Sequence, residues 1–310
     1  VVIVCKGRTF CAGADIREFG KPPQEPHLPD VLERFDKCEK PLIAAVHGTA
    51  FGGGFETALS CHFRVAVPSA QFGLPEVKLG LLPGAGGTQR LPRLIGPEKA
   101  LPMIATGNPI KTTQAAKDGI VDEIIEGDLA EGAVAFARKV LAENRPLNRV
   151  SEMTDKIAAA KEKPEIFDDY RKQMAKRARG FEAPQACINA VAAAVNKPFE
   201  EGLETERELF TQLMAGDQSA AQRYYFFAER QVAKIPDIPK DTPTIEVKKV
   251  GIIGAGTMGG GITMNFVNAG IPVTLVEAKQ AFLDRGLGVI KKNYDISASK
   301  GKMTARSEEH

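Results

Sequence analysis

The chain has 310 residues, enough for two domains at roughly 150 residues each. With 43% hydrophobic and 26% charged residues it reads as an ordinary soluble globular protein, and a net charge of +2 gives no basis for nucleic-acid or anionic-membrane binding. No run approaches the ~20 apolar residues of a membrane span, and the four histidines and five cysteines show no metal-ligand spacing and no CxxC pair, so a reducing compartment without a metal centre is expected.

VVIVC (1–5) is a short β-branched run that reads as a buried strand, without a charged leader ahead of it. Residues 20–30, with four prolines, read as loop, and VLERFDKCEK as a helix over 31–40. PLIAAVHG is a second apolar strand stopped by Gly48, FETALSC is a small buried helix, and HFRVAVP is a third strand with Phe63, Val65 and Val67 on one side. Strands alternating with helices give α/β, with parallel pairing. From about 130 to 230 the pattern turns helical, ending in an amphipathic helix over 224–236, and PDIPKDTPT (236–244) is a proline-rich linker. Beyond it, KKVGII, a glycine turn, TMGGGITMNFVNAG and VTLVE read as strand, turn, helix, strand: half of a second α/β domain, stopping at residue 310. The chain is expected to be a fragment of a longer protein.

Gly254, Gly256 and Gly259 form a GxGxxG between that strand and helix, and Glu277 follows roughly 20 residues on, at the end of the next strand. Gly254 permits the tight turn, Gly256 lets backbone approach a pyrophosphate at the helix N-terminus, and Gly259 lets helix and strand pack closely. Glu277 suits a ribose hydroxyl and repels a 2′-phosphate, so NAD is expected rather than NADP. PGAGGTQRL (83–91) lacks the Walker ending and reads as glycines that bring a helix start close to other backbone.

Gly52–Gly54 run into Glu56 at a helix start, where free N–H groups point outward and the dipole is positive. Peptide N–H groups of Gly53 and Gly54 without side chains can meet an oxyanion at hydrogen-bond distance. Glu56 read alone is a charge that complements the helix dipole. FCAGADI (10–16) offers a second donor N–H at Ala14, and Glu76 is an acid in the otherwise apolar stretch GLPEVKLGLL. Two carboxylates beside one oxyanion site suit proton transfer next to a thioester carbonyl, one holding its proton and the other ionised. Ser60 and His62 are two apart, but no GxSxG precedes them, so they are read as packing residues.

FCAGADI, AFGGGFE and LPEVKLGLLPGAGGTQRL resemble the crotonase (enoyl-CoA hydratase/isomerase) superfamily. Joined to VGIIGAGTMGGGI they resemble the multifunctional β-oxidation enzymes, peroxisomal bifunctional type and bacterial relatives, over essentially the whole chain. The resemblance implies a crotonase-like ββα superhelix over 1–135, a helical extension over 136–235, a linker over 236–248 and a partial Rossmann NAD-binding domain over 249–310. It implies Ala14 and Gly53 as the oxyanion hole, Glu56 and Glu76 as the catalytic pair, and Arg8, Ala12, Asp15 and Ile16 as CoA contacts. Gly254, Gly256, Thr257, Met258, Gly259 and Glu277 become the NAD contacts. By the same likeness the activity is hydration of 2-trans-enoyl-CoA and Δ3,Δ2-enoyl-CoA isomerisation, coupled in the full-length protein to NAD-dependent oxidation of 3-hydroxyacyl-CoA. A strand-rich segment is implied ahead of Val1, and the dehydrogenase His–Glu pair beyond residue 310. The expected setting is a bacterial cytoplasm, or alternatively a peroxisome, and the full-length protein a monomer. Two alternatives stand beside this reading: another crotonase-type reaction on acyl-CoA (hydrolase, decarboxylase or dehalogenase), and an inactive CoA- and NAD-binding scaffold.

Overall fold

The computed structural model describes residues 1–22, 25–232, 234–239 and 241–300. The chain forms two compact units, Val1–Lys234 and a second from Ile235 on. Among the described residues no helix is long and apolar enough to cross a membrane.

The first unit opens on β1 (Val2–Val4), followed by a 3-10 turn at Ile16–Glu18 and α1 (Leu28–Asp36). That helix starts inside the proline stretch expected to be loop, and ends earlier than 40. Pro29 sits in its first turn, where a missing N–H costs nothing, and Asp30 beside it complements the helix dipole.

Next come β2 (Ile43–Val46), β3 (Thr49–Phe51), α2 (Gly53–Ser60), β4 (Phe63–Ala66) and β5 (Gln71–Gly73). A 3-10 segment, Pro75–Leu79, then leads to α3 (Gly87–Ile95) and α4 (Pro97–Thr106). Short β6 (Ile110–Lys111), α5 (Thr112–Asp118) and β7 (Glu123–Ile124) precede α6 (Leu129–Ala142). One sheet runs β1-β2-β4-β7, all parallel, and a second runs β3-β5-β6. The windings β2-β3-α2 and β4-β5-α3 each give one strand to each sheet and then a helix, the ββα turn of the superhelix. Among the described residues after β1 only an isolated bridge, Cys11 to Ala50, reaches the second sheet, and α5 separates β6 from β7. The two faces of the four-stranded sheet are both covered, as an all-parallel sheet requires. Ile43, Ala45, Phe63 and Val65 pack with Phe136 and Val140 of α6, while Ala44, Val46 and Ala66 pack with Phe55, Ala58 and Leu59 of α2. Val67, expected beside Phe63 and Val65, lies past the strand end and joins the α2 side instead.

The helical part contains α7 (Asp155–Lys161), α8 (Glu165–Met174), α9 (Ala183–Asn196), α10 (Phe199–Ala215) and α11 (Asp217–Val232). The last begins about two turns before the stretch at 224 expected to hold it. Alanine-rich α9 is buried along most of its length and packs on α3, α4 and α10, small side chains permitting close helix approach. Buried Arg64 is no loose charge: it donates to the carbonyls of Ile120 (2.7 Å), Cys61 (2.6 Å) and Ala58 (3.3 Å), tying β4 to the chain around it.

In the second unit β8 (Val250–Ile253) pairs in parallel with β9 (Val273–Val276), Val250 opposite Val273. Helix α12 (Thr257–Asn268) connects them and α13 (Gln280–Ser299) follows, the beginning of a Rossmann unit.

Candidate active site

The segment before Ala14 runs alongside β3. Cys11 N–H donates to Thr49 O (3.1 Å) and Phe51 N–H to Cys11 O (2.9 Å), which brings Gly13 and Ala14 against Gly52 and Gly53. The three glycines then answer to three separate close approaches. Gly52 holds φ +53°, and a Cβ there would lie 2.9 Å from Glu76 Oε1. A Cβ on Gly53 would lie 2.9 Å from Leu28 Cδ2 and 4.0 Å from both Ala14 N and Glu56 Oε2, which places those two groups around the same spot. A Cβ on Gly54 would collide with the Cys11 carbonyl. Gly53 is the first residue of α2, and neither its N–H nor that of Ala14 donates to another described residue.

Glu56 is 2% exposed. Its Oε1 accepts the N–H groups of Ala85 and Gly87, each at 2.8 Å, at the start of α3. Gly87 has to be glycine, because a Cβ there would sit 2.9 Å from that same oxygen. Burial raises the Glu56 carboxyl above its ordinary range, opposed by these two amides and by Arg90. Glu76 enters from the 3-10 segment after β5, held there by Gly52 N–H donating to Gly73 O at 3.0 Å. Its Oε2 is enclosed without a hydrogen-bond partner among the described residues. Burial first, then the charges of Glu56 and Glu206, push Glu76 well above the usual carboxylate range. The pair is therefore asymmetric: Glu56 carries amide donors that favour its anion, whereas burial and two like charges favour the protonated form of Glu76.

That asymmetry has a stability consequence. A raised folded-state pKa means the folded chain binds a proton that the unfolded chain releases, so stability declines as pH rises above the ordinary carboxyl range. Glu76→Gln is neutral at every pH and removes the share of this decline that Glu76 contributes. Its Tm should exceed that of the parent by about 2 °C or more near about pH 8 and converge with it near about pH 5, as thermal unfolding across pH would show.

The sequence missed one carboxylate here. Glu206 of α10 is 1% exposed and accepts Gly86 N–H at 2.6 Å, Thr88 N–H at 3.0 Å and the Thr88 hydroxyl. Burial and the Glu56 charge raise it to about 8. In the sequence it is one of five glutamates within Phe199–Ala215, and only the fold separates it from the others: Gly202, Glu206 and Leu213 are the buried positions of that helix.

Of the CoA contacts implied at Arg8, Ala12, Asp15 and Ile16, the first three are exposed and Ile16 is half-buried. Asp15 is engaged locally, accepting from Arg17 N–H (3.0 Å) and its guanidinium, which hold it at about 2. Ser60 donates to the Glu56 carbonyl (3.0 Å) and His62 Nδ1 accepts Leu42 N–H (3.0 Å), so they form no dyad. All five cysteines are free thiols.

In the second unit Gly254 takes φ +99°, and a Cβ on Gly259 would collide with the Gly254 carbonyl, so both glycines are needed by the turn itself. Gly256 faces open space at the start of α12, beside Thr257 and the exposed Met258. Glu277 accepts Ala255 N–H (2.8 Å) through one oxygen and Ala278 N–H (2.8 Å) through the other, which lowers its pKa. Its carboxylate thus braces the glycine turn.

A family model described as enoyl-CoA hydratase/isomerase matches residues 1–178. The chain belongs to that family. Residues 249–310 match a second model, the NAD binding domain of 3-hydroxyacyl-CoA dehydrogenase. The hydratase-family chain is 42% identical to the peroxisomal bifunctional enzyme of Danio rerio, covering 96% of this chain and 43% of that one. It is 36% identical to a peroxisomal fatty acid beta-oxidation multifunctional protein of Arabidopsis thaliana, covering 98% of this chain and 43% of the other. The chain thus spans less than half the length of these curated relatives. A solved enoyl-CoA hydratase/isomerase from Pseudoalteromonas atlantica shares the fold, with TM-score 0.50 and 21% identity over 77% of this chain and 80% of that one.

Proposed function

We propose that the first unit adds water across the double bond of a 2-trans-enoyl-CoA and, through the same enolate, isomerises Δ3 to Δ2 enoyl-CoA. The observation that carries this reading is the convergence of two undonated N–H groups, Ala14 and Gly53, with Glu56 and Glu76 on either side. Glu56 takes a proton from water while the oxygen adds to C3. The C2=C3 electron pair moves toward the thioester, and its oxygen becomes an enolate held by Ala14 and Gly53. Glu76 then gives its proton to C2 as the carbonyl re-forms, and the proton on Glu56 returns to Glu76 to close the cycle. Isomerisation uses the ionised carboxylate to remove a C2 proton and the partner to return one at C4. A hydrolase or decarboxylase needs no such acid–base pair facing one alkene, so both carboxylates together favour hydration. Incubation with crotonyl-CoA tests this: 3-hydroxybutyryl-CoA is the expected product, and free CoA or no product would count against it.

The second unit is proposed to take NAD, beginning about residue 249, after a helical extension and linker. When bound, NAD accepts the hydride released as a 3-hydroxyacyl-CoA is oxidised. The residues fit it: open backbone at Gly256, the free end of α12 for the pyrophosphate, and Glu277 at the β9 end for a ribose. Gly256→Val should leave Tm within about 2 °C and weaken NAD binding by about 10-fold or more, since its Cβ meets only the space the pyrophosphate needs. Calorimetry with NAD checks this, and undiminished binding would remove Gly256 from the site. The relatives' names favour a peroxisome over a bacterial cytoplasm as the setting.

A further inference from the structure

The start of α3 presents four successive amides, Ala85, Gly86, Gly87 and Thr88, none of which has a partner within the helix. Two buried carboxylates take them alternately. Ala85 and Gly87 donate to Glu56, and Gly86 and Thr88 donate to Glu206. One clamp arm comes from α2 and the other from α10, outside the residues matched by the hydratase model.

Helix α10 meets this segment along a single stripe spaced four residues apart. Gly202 abuts the Gln89 side chain so closely that a Cβ would collide with its Oε1. One turn on, Glu206 holds Gly86 and Thr88. Another turn on, Phe210 Cδ2 would lie 2.7 Å from a Cβ on Gly84. Gln89 Nε2 in turn donates to Thr88 Oγ1 (2.8 Å) and to Ala190 O (2.9 Å), fastening the same turn to α9. Beside the clamp is a cavity of about 810 Å³ between α1 and α10, lined by Glu206, Arg90, Arg207, Glu204 and the Gly84–Gly86 backbone. The charged groups around Glu206 are thus Glu56 from α2, Glu76 from the 3-10 segment, Arg90 from α3 and Arg207 and Glu204 from α10 itself.

We propose that Glu206 is a positioning residue for Glu56: by holding Gly86 and Thr88 it sets the orientation of the helix start whose other two amides hold the Glu56 carboxylate. The helical extension then governs turnover in the hydratase core, an inference that rests on the hydration reading. Without Glu206 two buried amides lose their acceptor, the turn relaxes, and Glu56 Oε2 moves relative to Ala14 and Gly53. A displacement of about 1 Å in a reacting group lowers rate by up to ~10²-fold without weakening the grip on CoA.

The test uses the 310-residue chain and crotonyl-CoA. Glu206→Ala should lower kcat by about 10-fold to 10²-fold with KM changed less than about twofold. Glu206→Gln keeps the acceptor for Gly86 and loses that for Thr88, so its kcat should lie between. Leu213→Ala, on the same helix but remote from the carboxylates, is the control for loosened docking and should retain kcat within about threefold at a comparable loss of Tm. Parental kcat in folded Glu206→Ala, or an equal loss of kcat in Leu213→Ala, overturns the proposal. Amide hydrogen exchange at Ala85 and Gly87 separates it from the hydration reading. Faster exchange in Glu206→Ala supports the clamp even if the parent chain proves inactive on enoyl-CoA, and unchanged exchange with unchanged kcat refutes it.

Discussion

Glu76→Gln should lower kcat for crotonyl-CoA hydration by about 10² to 10⁴-fold, with KM close to that of the parent. The reasoning starts from an unpartnered oxygen. Glu76 Oε2 is enclosed and bonded to nothing among the described residues, while Oε1 lies beside Gly52, next to the proposed enolate position. Burial and two neighbouring carboxylates raise its pKa well above the usual carboxylate range, favouring the protonated form. A neutral glutamine has the same shape and no proton to give, so binding should persist while proton delivery to C2 stops. The same substitution is the one expected to raise Tm at high pH, and gain of stability with loss of rate is the mark of a group held against its preferred state for function. Steady-state kinetics and thermal scans on one preparation check both, and unaltered kcat would remove Glu76 from the chemistry.

Gly53→Pro is the second substitution with a large expected effect. Gly53 is the first residue of α2, a position where proline fits helix geometry and where the N–H makes no intrahelical bond. Leu28 Cδ2 is the nearest obstacle to a Cβ, and it is the end of a flexible side chain. The helix should therefore form, but the donor is gone and the ring occupies the oxyanion position. Loss of one such donor lowers kcat by about 10² to 10³-fold, and kcat/KM should fall at least that far with circular dichroism unchanged. Activity within about threefold of the parent would show that the thioester oxygen is held elsewhere.

What could be read in advance follows the range over which each interaction acts. The strands at 43–46 and 63–66, the helix entered at Gly53 and the turn at Gly254 are set by neighbours a few residues away, so composition and glycine placement reveal them. The spacing of Ala14, Gly53, Glu56 and Glu76 also announces small-residue turns beside acids, and the structure brings those four to one place. Glu206 was hidden because its partners lie far earlier in the chain and its own helix is crowded with other acids. The glycines of PGAGGTQRL were legible as a helix start near other backbone, but not that two side-chain carboxylates would be what it meets. Helix α1 begins earlier than the proline content of 20–30 suggests, because Pro29 lies in its first turn, where proline is compatible with the helix. The sequence places Glu277 toward a ribose, whereas what the structure shows is its carboxylate accepting Ala255 N–H at the glycine turn.

The central claim is that Glu56 and Glu76 act as one proton-handling unit around an enolate held by Ala14 and Gly53. The most direct measurement compares crotonyl-CoA hydration by the parent chain, Glu56→Gln, Glu76→Gln and the double variant. Groups that work as a unit lose nearly everything when either is removed, so the double variant should be no slower than the slower single variant within about threefold. Losses that multiply, or a folded parent chain that binds crotonyl-CoA and leaves it unchanged, would contradict the claim.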